Sequence, residues 1–516
     1  MAANFFRWLK QNWLNCFCYF ALICFVCTCA FYLLRGDLYY HTDIARDFLI
    51  LDEMVSEHKL SLIGARTSIA GVFHGPAWYY LNLPVFFLSG GNPLATGWFW
   101  LVLSLAAGAA FYFCARKITN KKTALLAVAL LASLKIALPV GLMQSGGAFF
   151  ASFIYFFFLW WYTQKHCWWQ LALAAFAAGM LIQFQMAFGG PILVVTGIYS
   201  LYQIFKSKKY WHLLSWLVIL LPLSTFLLFE WRHDFLQLNS IINYFTSSSN
   251  GGADFSLLAY LQQRLTAFID CFALVTTDNS WLKVPSSLLS FGFLIWAGFL
   301  VQRDKKSVRS AYDLSMLMIV GFWLATAPFK GPLWDFYYDN LLPLIVFWVA
   351  YVAILKNDWW WKIILSLAII CNFYAEWRWI AIYTSDGEES HEIFWSFYDR
   401  LASDIYQSAQ GQEFSHYVYT PNLYAYQAKY ALRYWAHQHH QPYLVNQKVP
   451  LTFLIIGDSR HADFTNKWQI EDVKINREAD EEWGYSSGYR IKKYFLTEEE
   501  IKIEDNPFLI ENLEFR

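Results

Sequence analysis

Long apolar runs separated by short polar connections fill the chain from its N-terminus to about residue 377, and there the pattern changes. A helix that crosses a bilayer needs roughly 17–25 mostly apolar residues. That requirement predicts eleven spans, near 12–34, 94–114, 123–140, 147–162, 168–186, 188–205, 210–229, 285–302, 314–329, 340–355 and 361–377. The stretch GPAWYYLNLPVFFLSGG, residues 75–91, is also apolar, but Pro76 and Pro84 interrupt it. It is expected to lie in the membrane interface, with Trp78, Tyr79 and Tyr80 at headgroup level. Beyond residue 378 the periodicities are those of a solvated domain. NLYAYQAKYALRYWAHQ (422–438) reads as a helix, and HYVYT (416–420) and LTFLIIG (451–457) read as strands. The expected fold is an α-helical polytopic membrane protein, residues 1–377, followed by a C-terminal soluble α/β domain, residues 378–516.

Composition agrees with that division. Charged residues make up 15% of the chain, against roughly 25% in soluble domains. The 39 Lys and Arg balance the 39 Asp and Glu, so net charge points to no nucleic-acid partner. Placement of the charges says more than their sum. Arg7 and Lys10 precede the first span. Arg116, Lys117, Lys121, Lys122, Lys165, Lys206, Lys208, Lys209, Arg303, Lys305, Lys306, Arg309, Lys356 and Lys362 follow the even-numbered spans. All fall on one face, which the positive-inside rule makes cytoplasmic. The opposite face receives residues 35–93, 230–284, 330–339 and the tail. Counting 75–91 as a span would invert every later basic loop. Eight of the nine cysteines lie in or beside spans, where they read as small apolar fillers rather than a disulfide framework.

The first outer loop holds the densest chemistry. From Asp43, the apolar residues Ile44, Phe48, Leu51 and Val55 recur at helical spacing. Asp43, Arg46, Asp47, Glu53 and Glu57 fall mainly on the other side, which predicts an amphipathic surface helix with Thr42 as its N-cap. Solvation accounts for Glu53 and Glu57. It accounts less well for a carboxylate, Asp43, at the mouth of the first span. In the tail, His437, His439 and His440 cluster in sequence and are expected on a surface loop rather than at a metal.

The segment HTDIARDFLILDEMVSEHKLSLIGARTSIAGVFHGPAWYYLNLPVFFLSGGNPLATGWF (41–99) resembles the first periplasmic loop of bacterial membrane glycosyltransferases. The family is the protein O-mannosyltransferase and aminoarabinose-transferase superfamily. The resemblance rests on Asp43-Ile44-Ala45-Arg46-Asp47 and on His74-Gly75-Pro76 followed by Tyr79-Tyr80. Weaker similarity continues through GMLIQFQMAFGGPILV (179–194), PLSTFLLFEWRHDF (222–235) and FYYDNLLPLIVF (336–347). It covers about residues 10–350, and the tail matches no family.

The resemblance implies a GT-C fold with about eleven transmembrane helices in the bacterial inner membrane, the N-terminus cytoplasmic and the C-terminal domain periplasmic. It implies transfer of a sugar from a polyprenyl-phosphate carrier, such as undecaprenyl phosphate, to an acceptor hydroxyl on a lipid, glycan or protein. Membrane lipids surround the chain, and no cofactor or metal is expected. Asp43 takes the place of the catalytic base. Many members carry Asp-Glu where this chain has Asp43-Ile44, so no acidic role passes to residue 44. A carboxylate with pKa near ~4 is ionised at neutral pH and can accept a proton. A single carboxylate and a single displacement imply inversion at the anomeric carbon. The leaving phosphate needs cations. Arg46, Arg66, His74, Arg232, His233 and Lys330 are the candidates, with Asp47 beside Arg46 and Lys135 near the end of the third span. Two other readings stand beside this one. A polysaccharide ligase or polymerase would keep the lipid-linked donor, whereas a multispan transporter or flippase would place charges within spans.

Overall fold

The computed structural model describes residues 2–246, 257–277, 279–329, 331, 333–356, 358–384, 391–420, 424–457, 462–507 and 509. In chain order the principal helices are α1 (Ala2–Arg35), α2 (Thr42–Ser56), α3 (Ala77–Leu88), α4 (Pro93–Ile118), α5 (Lys121–Leu134) and α6 (Gln144–Lys165). They continue with α7 (Trp168–Phe184), α8 (Met186–Ser207), α9 (Leu220–Arg232), α10 (Leu236–Thr246), α11 (Leu257–Phe272) and α12 (Ser280–Val301). The last six are α13 (Lys306–Ala325), α14 (Asp335–Tyr338), α15 (Leu342–Lys356), α16 (Trp359–Thr384), α17 (Trp395–Ala409) and α18 (Tyr426–His439). Each of the eleven expected spans falls on helix. Among the described residues nine helices are long and apolar enough to cross a membrane, from Asn12–Arg35 to Trp359–Tyr383. The other two expected spans are α5 and α7, apolar but only 14 and 17 residues long. Two boundaries differ from expectation. The Asn279 side chain accepts from the Trp281 N–H and starts α12 at Ser280, five residues early. The span expected over 314–329 is the helix 306–325, whose polar first turns, with Lys306, Arg309 and Asp313, hid its start.

Helix α3 is 12 residues long with Pro84 inside it, too short to cross a bilayer. Trp78 and Tyr79 are packed inside the protein, at 2% and 1% exposure. Trp78 stacks on Trp100 with ring centroids 6.1 Å apart.

The chain divides into two compact units. One comprises residues 1–30, 61–81 and 99–378; the other comprises 31–60, 82–98 and 379–516. The first unit is helical, and its core includes the buried run of α15 from Leu342 to Ala353.

The second unit holds a five-stranded mixed sheet. Its strands are β1 (Ser415–Tyr419), β2 (Leu444–Val445), β3 (Leu451–Ile456), β4 (Glu481–Gly484) and β5 (Arg490–Phe495), in the order β2-β1-β3-β5-β4. β1 pairs parallel to β2 and β3, and β5 pairs antiparallel to β3 and β4. Every residue of β3 is buried, as a run apolar but for Thr452 requires of a central strand. Tyr417, Leu454, Ile456, Trp468 and Tyr494 meet on one face of the sheet. The expected tail elements at 416–420, 451–457 and 422–438 are β1, β3 and α18. His437 and His439 therefore sit in the last turn of a helix, not on a loop, because the apolar periodicity of α18 runs through them to His439.

Candidate active site

Helix α2 belongs to the second unit and carries Asp43 in its first turn. The N-cap is His41, not Thr42. His41 is extended (φ −68°, ψ 156°), and its Nδ1 accepts the Asp43 backbone N–H at 3.2 Å. The Thr42 hydroxyl instead accepts from Gln427 Nε2 of α18 at 2.9 Å. Nor is α2 a solvated surface helix. Ile44, Phe48, Leu49, Ile50, Leu51 and Met54 are buried, and so are Asp47 and Asp52.

Arg46 bridges two carboxylates of α2. Its Nη1 lies 2.6 Å from Asp43 Oδ1, and its Nη2 lies 2.9 Å from Asp47 Oδ1. The two acids differ in setting, since the Asp43 side chain is 45% exposed and that of Asp47 only 7%. Burial acts to raise the Asp43 carboxyl. The hydrogen bond with His41 and the charge of Arg46 outweigh it and hold the group down at about 2. His41 Nδ1 is also 3.5 Å from Asp43 Oδ2, a contact that attracts only when the ring is protonated. Arg46 is thus the cation that acts on Asp43 at every pH. At neutral pH Asp43 is a half-buried, ionised carboxylate in the first turn of a helix.

That turn is held from the tail. Phe48 stacks on Tyr430 of α18 (5.2 Å, 25°), and Tyr430 donates to the Gly91 carbonyl. One further turn along, Asp52 takes an ion pair from Arg433 and lies 3.3 Å from His437 Nε2. Residues 427, 430, 433 and 437 recur at helical spacing, so one stripe of α18 follows α2 over its length. Sequence reasoning missed Asp52, Gln427, Arg433 and His437. The available signal was a carboxylate four residues after Phe48, inside the buried stripe.

The remaining expected site residues lie in the first unit, apart from Lys330, which is outside the described residues. Arg66 and His74 share a short antiparallel loop. Arg66 bridges to Phe73, and His74 exchanges backbone hydrogen bonds with Ala65 and Gly64 at 2.8 and 2.6 Å. Arg66 is exposed and His74 buried. Gly75 donates to the Gln183 carbonyl at 2.9 Å, and a Cβ on Gly75 would lie 1.8 Å from Gln183 Oε1, so a side chain there would displace the Gln183 amide. The Gln183 amide also accepts from the Ala77 N–H and donates to Thr225. Phe73 N–H bonds Gln237 Oε1 at 2.9 Å, and Glu230 accepts from the Gln237 N–H at 3.1 Å. The loop is thereby tied to the α9–α10 turn, where Arg232 ends α9 in an exposed position. The His233 ring stacks on Phe229 at 4.1 Å. Lys135 forms an ion pair with Asp339. Among the described residues no group of three or more His, Cys, Asp or Glu is placed to hold a metal ion.

No protein-family model and no curated protein matches the sequence. Solved structures do resemble the fold. The crystal structure of ArnT, the aminoarabinose transferase of Cupriavidus metallidurans, bound to undecaprenyl phosphate superposes with a TM-score of 0.59 at 11% identity, covering 94% of this chain and 98% of that one. The same protein in its apo state gives 0.57, with the same identity and coverage. At that identity the likeness is one of fold, and it spans nearly all of both chains. The chain carries the GT-C fold of membrane glycosyltransferases.

Proposed function

We propose that the protein is an inverting glycosyltransferase that moves a sugar from a polyprenyl-phosphate carrier to an acceptor hydroxyl on a lipid, glycan or protein. The observation that carries this reading is Asp43, an ionised carboxylate in the first turn of a clamped helix, with Arg46 bonded to it. The GT-C fold supports it, as does a neighbour of known structure that binds undecaprenyl phosphate.

In the proposed step the acceptor oxygen bonds to the anomeric carbon and gives its proton to Asp43. The bond from that carbon to the phosphate oxygen breaks, and its electron pair leaves with the phosphate. A carboxyl held at about 2 is a weak base. A phosphate that draws Arg46 away from Asp43 raises its proton affinity at the moment it is needed. The reaction is assigned to the periplasmic face of the bacterial inner membrane, with the N-terminus cytoplasmic, on the pattern of basic loops.

The test is transfer of radiolabelled sugar from polyprenyl-phosphate donors to envelope extract by the purified protein, wild type against Asp43→Asn. Asn keeps the size and hydrogen bonding of Asp but cannot take the proton. Equal transfer by both proteins overturns the reading.

A further inference from the structure

A cavity of about 440 Å³ lies wholly within the first unit, walled mainly by residues 19–26 of α1 and by α4, α5 and α6. Small residues of α4 make room for it. Ala107, Gly108 and Ala109 line it, and a Cβ on Gly108 would meet nothing within 4 Å. Protein interiors are close-packed, and a void forfeits the dispersion contacts of every group around it. Water is a poor filler here. The only polar side chains in the lining are Ser104, Lys121, Lys135 and the two tyrosines, and the Ser104 hydroxyl already donates to the Trp100 carbonyl. The space calls for an apolar occupant. That occupant can enter from the side, because Tyr19, Leu105 and Phe113 are exposed while Phe111, Leu125 and Phe153 deeper in are buried.

The two ends of the cavity differ in charge. At one end Lys135 is ion-paired with Asp339, so its charge is met. At the other, Lys121 opens α5 beside Lys122, and Arg116 and Lys117 close α4 just before them. All four are exposed, and among the described residues none of them forms an ion pair. Lys117 lies instead over the Trp161 ring, 3.6 Å from its centroid. The 14 residues of α5 set the two ends about 20 Å apart. That is more than half of a hydrocarbon core about 30 Å thick, so the space has the length of a lipid tail.

We propose that this cavity binds an anionic phospholipid, with one acyl chain in the space beside Gly108 and the phosphodiester at Lys121 and its basic neighbours. Basic clusters at the ends of spans recognise anionic headgroups. The head belongs at the Lys121 end because Lys135 already has its anion. A zwitterionic lipid offers the same chain but no net charge to answer four cations. The lipid tail supplies the packing that Ala107, Gly108 and Ala109 leave out.

The full chain in detergent is titrated with dioleoyl phosphatidylglycerol and with dioleoyl phosphatidylcholine, and bound lipid is counted by native mass spectrometry. Wild type should retain the anionic lipid in preference to the zwitterionic one, and its melting temperature should rise with the anionic lipid. Gly108→Leu puts a side chain into open space, so it should fold, melt no lower than lipid-free wild type and retain neither lipid. Lys121→Gln leaves the cavity intact. It should weaken phosphatidylglycerol binding about fivefold, the value of one surface cation, and leave phosphatidylcholine unchanged. Because Lys121 is exposed, that variant decides the question even if Leu at 108 does not fold. Equal retention of the two lipids by wild type overturns the inference. So does unchanged phosphatidylglycerol binding in either folded variant. Undecaprenyl phosphate is the competitor. If it displaces phosphatidylglycerol from wild type and Gly108→Leu loses sugar transfer, the cavity belongs to the donor and the inference falls.

Discussion

Removing Arg46 should damage stability and catalysis through two different carboxylates, and the two effects can be separated. Arg46→Gln leaves the Asp47 carboxylate, 7% exposed, without the cation 2.9 Å away. Breaking a buried pair by deleting one partner typically costs about 3–5 kcal/mol, because a buried charge loses its compensation. At roughly 2–4 °C per kcal/mol for a unit of 150–250 residues, the melting temperature should fall by about 6–20 °C. Asp43 contributes little to that loss. Its side chain is 45% exposed, and solvent screens such a pair to about 0–1 kcal/mol. Adding Asp47→Asn removes the carboxylate that faced Arg46, so Arg46→Gln/Asp47→Asn should recover most of the lost stability. It should not recover the pH profile. Without Arg46 the Asp43 carboxyl rises from about 2 toward the ordinary value near ~3.9. The ionised form is the active one, and activity is lost as pH falls through the pKa. The acid limb of kcat/KM should therefore move to higher pH in both variants. The assays are fluorescence-detected melting in detergent and sugar transfer across the acid range. A single variant as stable as wild type, or a double variant no more stable than the single, would refute the assignment of the buried pair.

Asp43→Asn should keep the melting temperature within a degree or two of wild type and lose roughly 10²–10⁴ in turnover, the usual value of a general base, as measured by sugar transfer at saturating donor. His437 is raised above its ordinary value by its hydrogen bond to Asp52, so its stabilising charge is fully present below about pH 6.5 and is lost as pH rises through the folded pKa. Melting of the wild type should decline over that window, and in His437→Gln the decline should vanish. Gly75→Ala places a methyl where Gln183 Oε1 now sits, and should lower the melting temperature and loosen the loop, measured as faster amide exchange at residues 64–77. Gln412→Cys, at an exposed turn after α17, should react with an impermeant maleimide in intact spheroplasts of a strain whose exposed Cys27 and Cys371 are replaced; labelling only after lysis would reverse the proposed orientation.

The helices of the membrane portion were legible because hydrophobicity alone specifies them, and all eleven expected spans fall on helix. Their ends were not, because caps such as Asn279 act through one local bond that hydropathy does not register. The central strand β3 and helix α18 were legible for the same reason, as a largely apolar run and a periodic one. The site was half legible. Asp43 and Arg46 stand out in sequence because they are charges beside a span, three residues apart on one helix turn. The local pattern misassigned Asp47, since a carboxylate at that spacing looks solvated until the fold buries it against its arginine. Asp52 illustrates the limit more sharply. Its partners Arg433 and His437 lie 381 and 385 residues further on. No periodicity links α2 to α18, and only the fold shows that a polar break in one apolar stripe answers two cations on another. A buried acid is strongly unfavourable unless it is paired, so each carboxylate found on an apolar face implied a distant cation. The sequence posed that requirement, and the packing of α18 along α2 meets it.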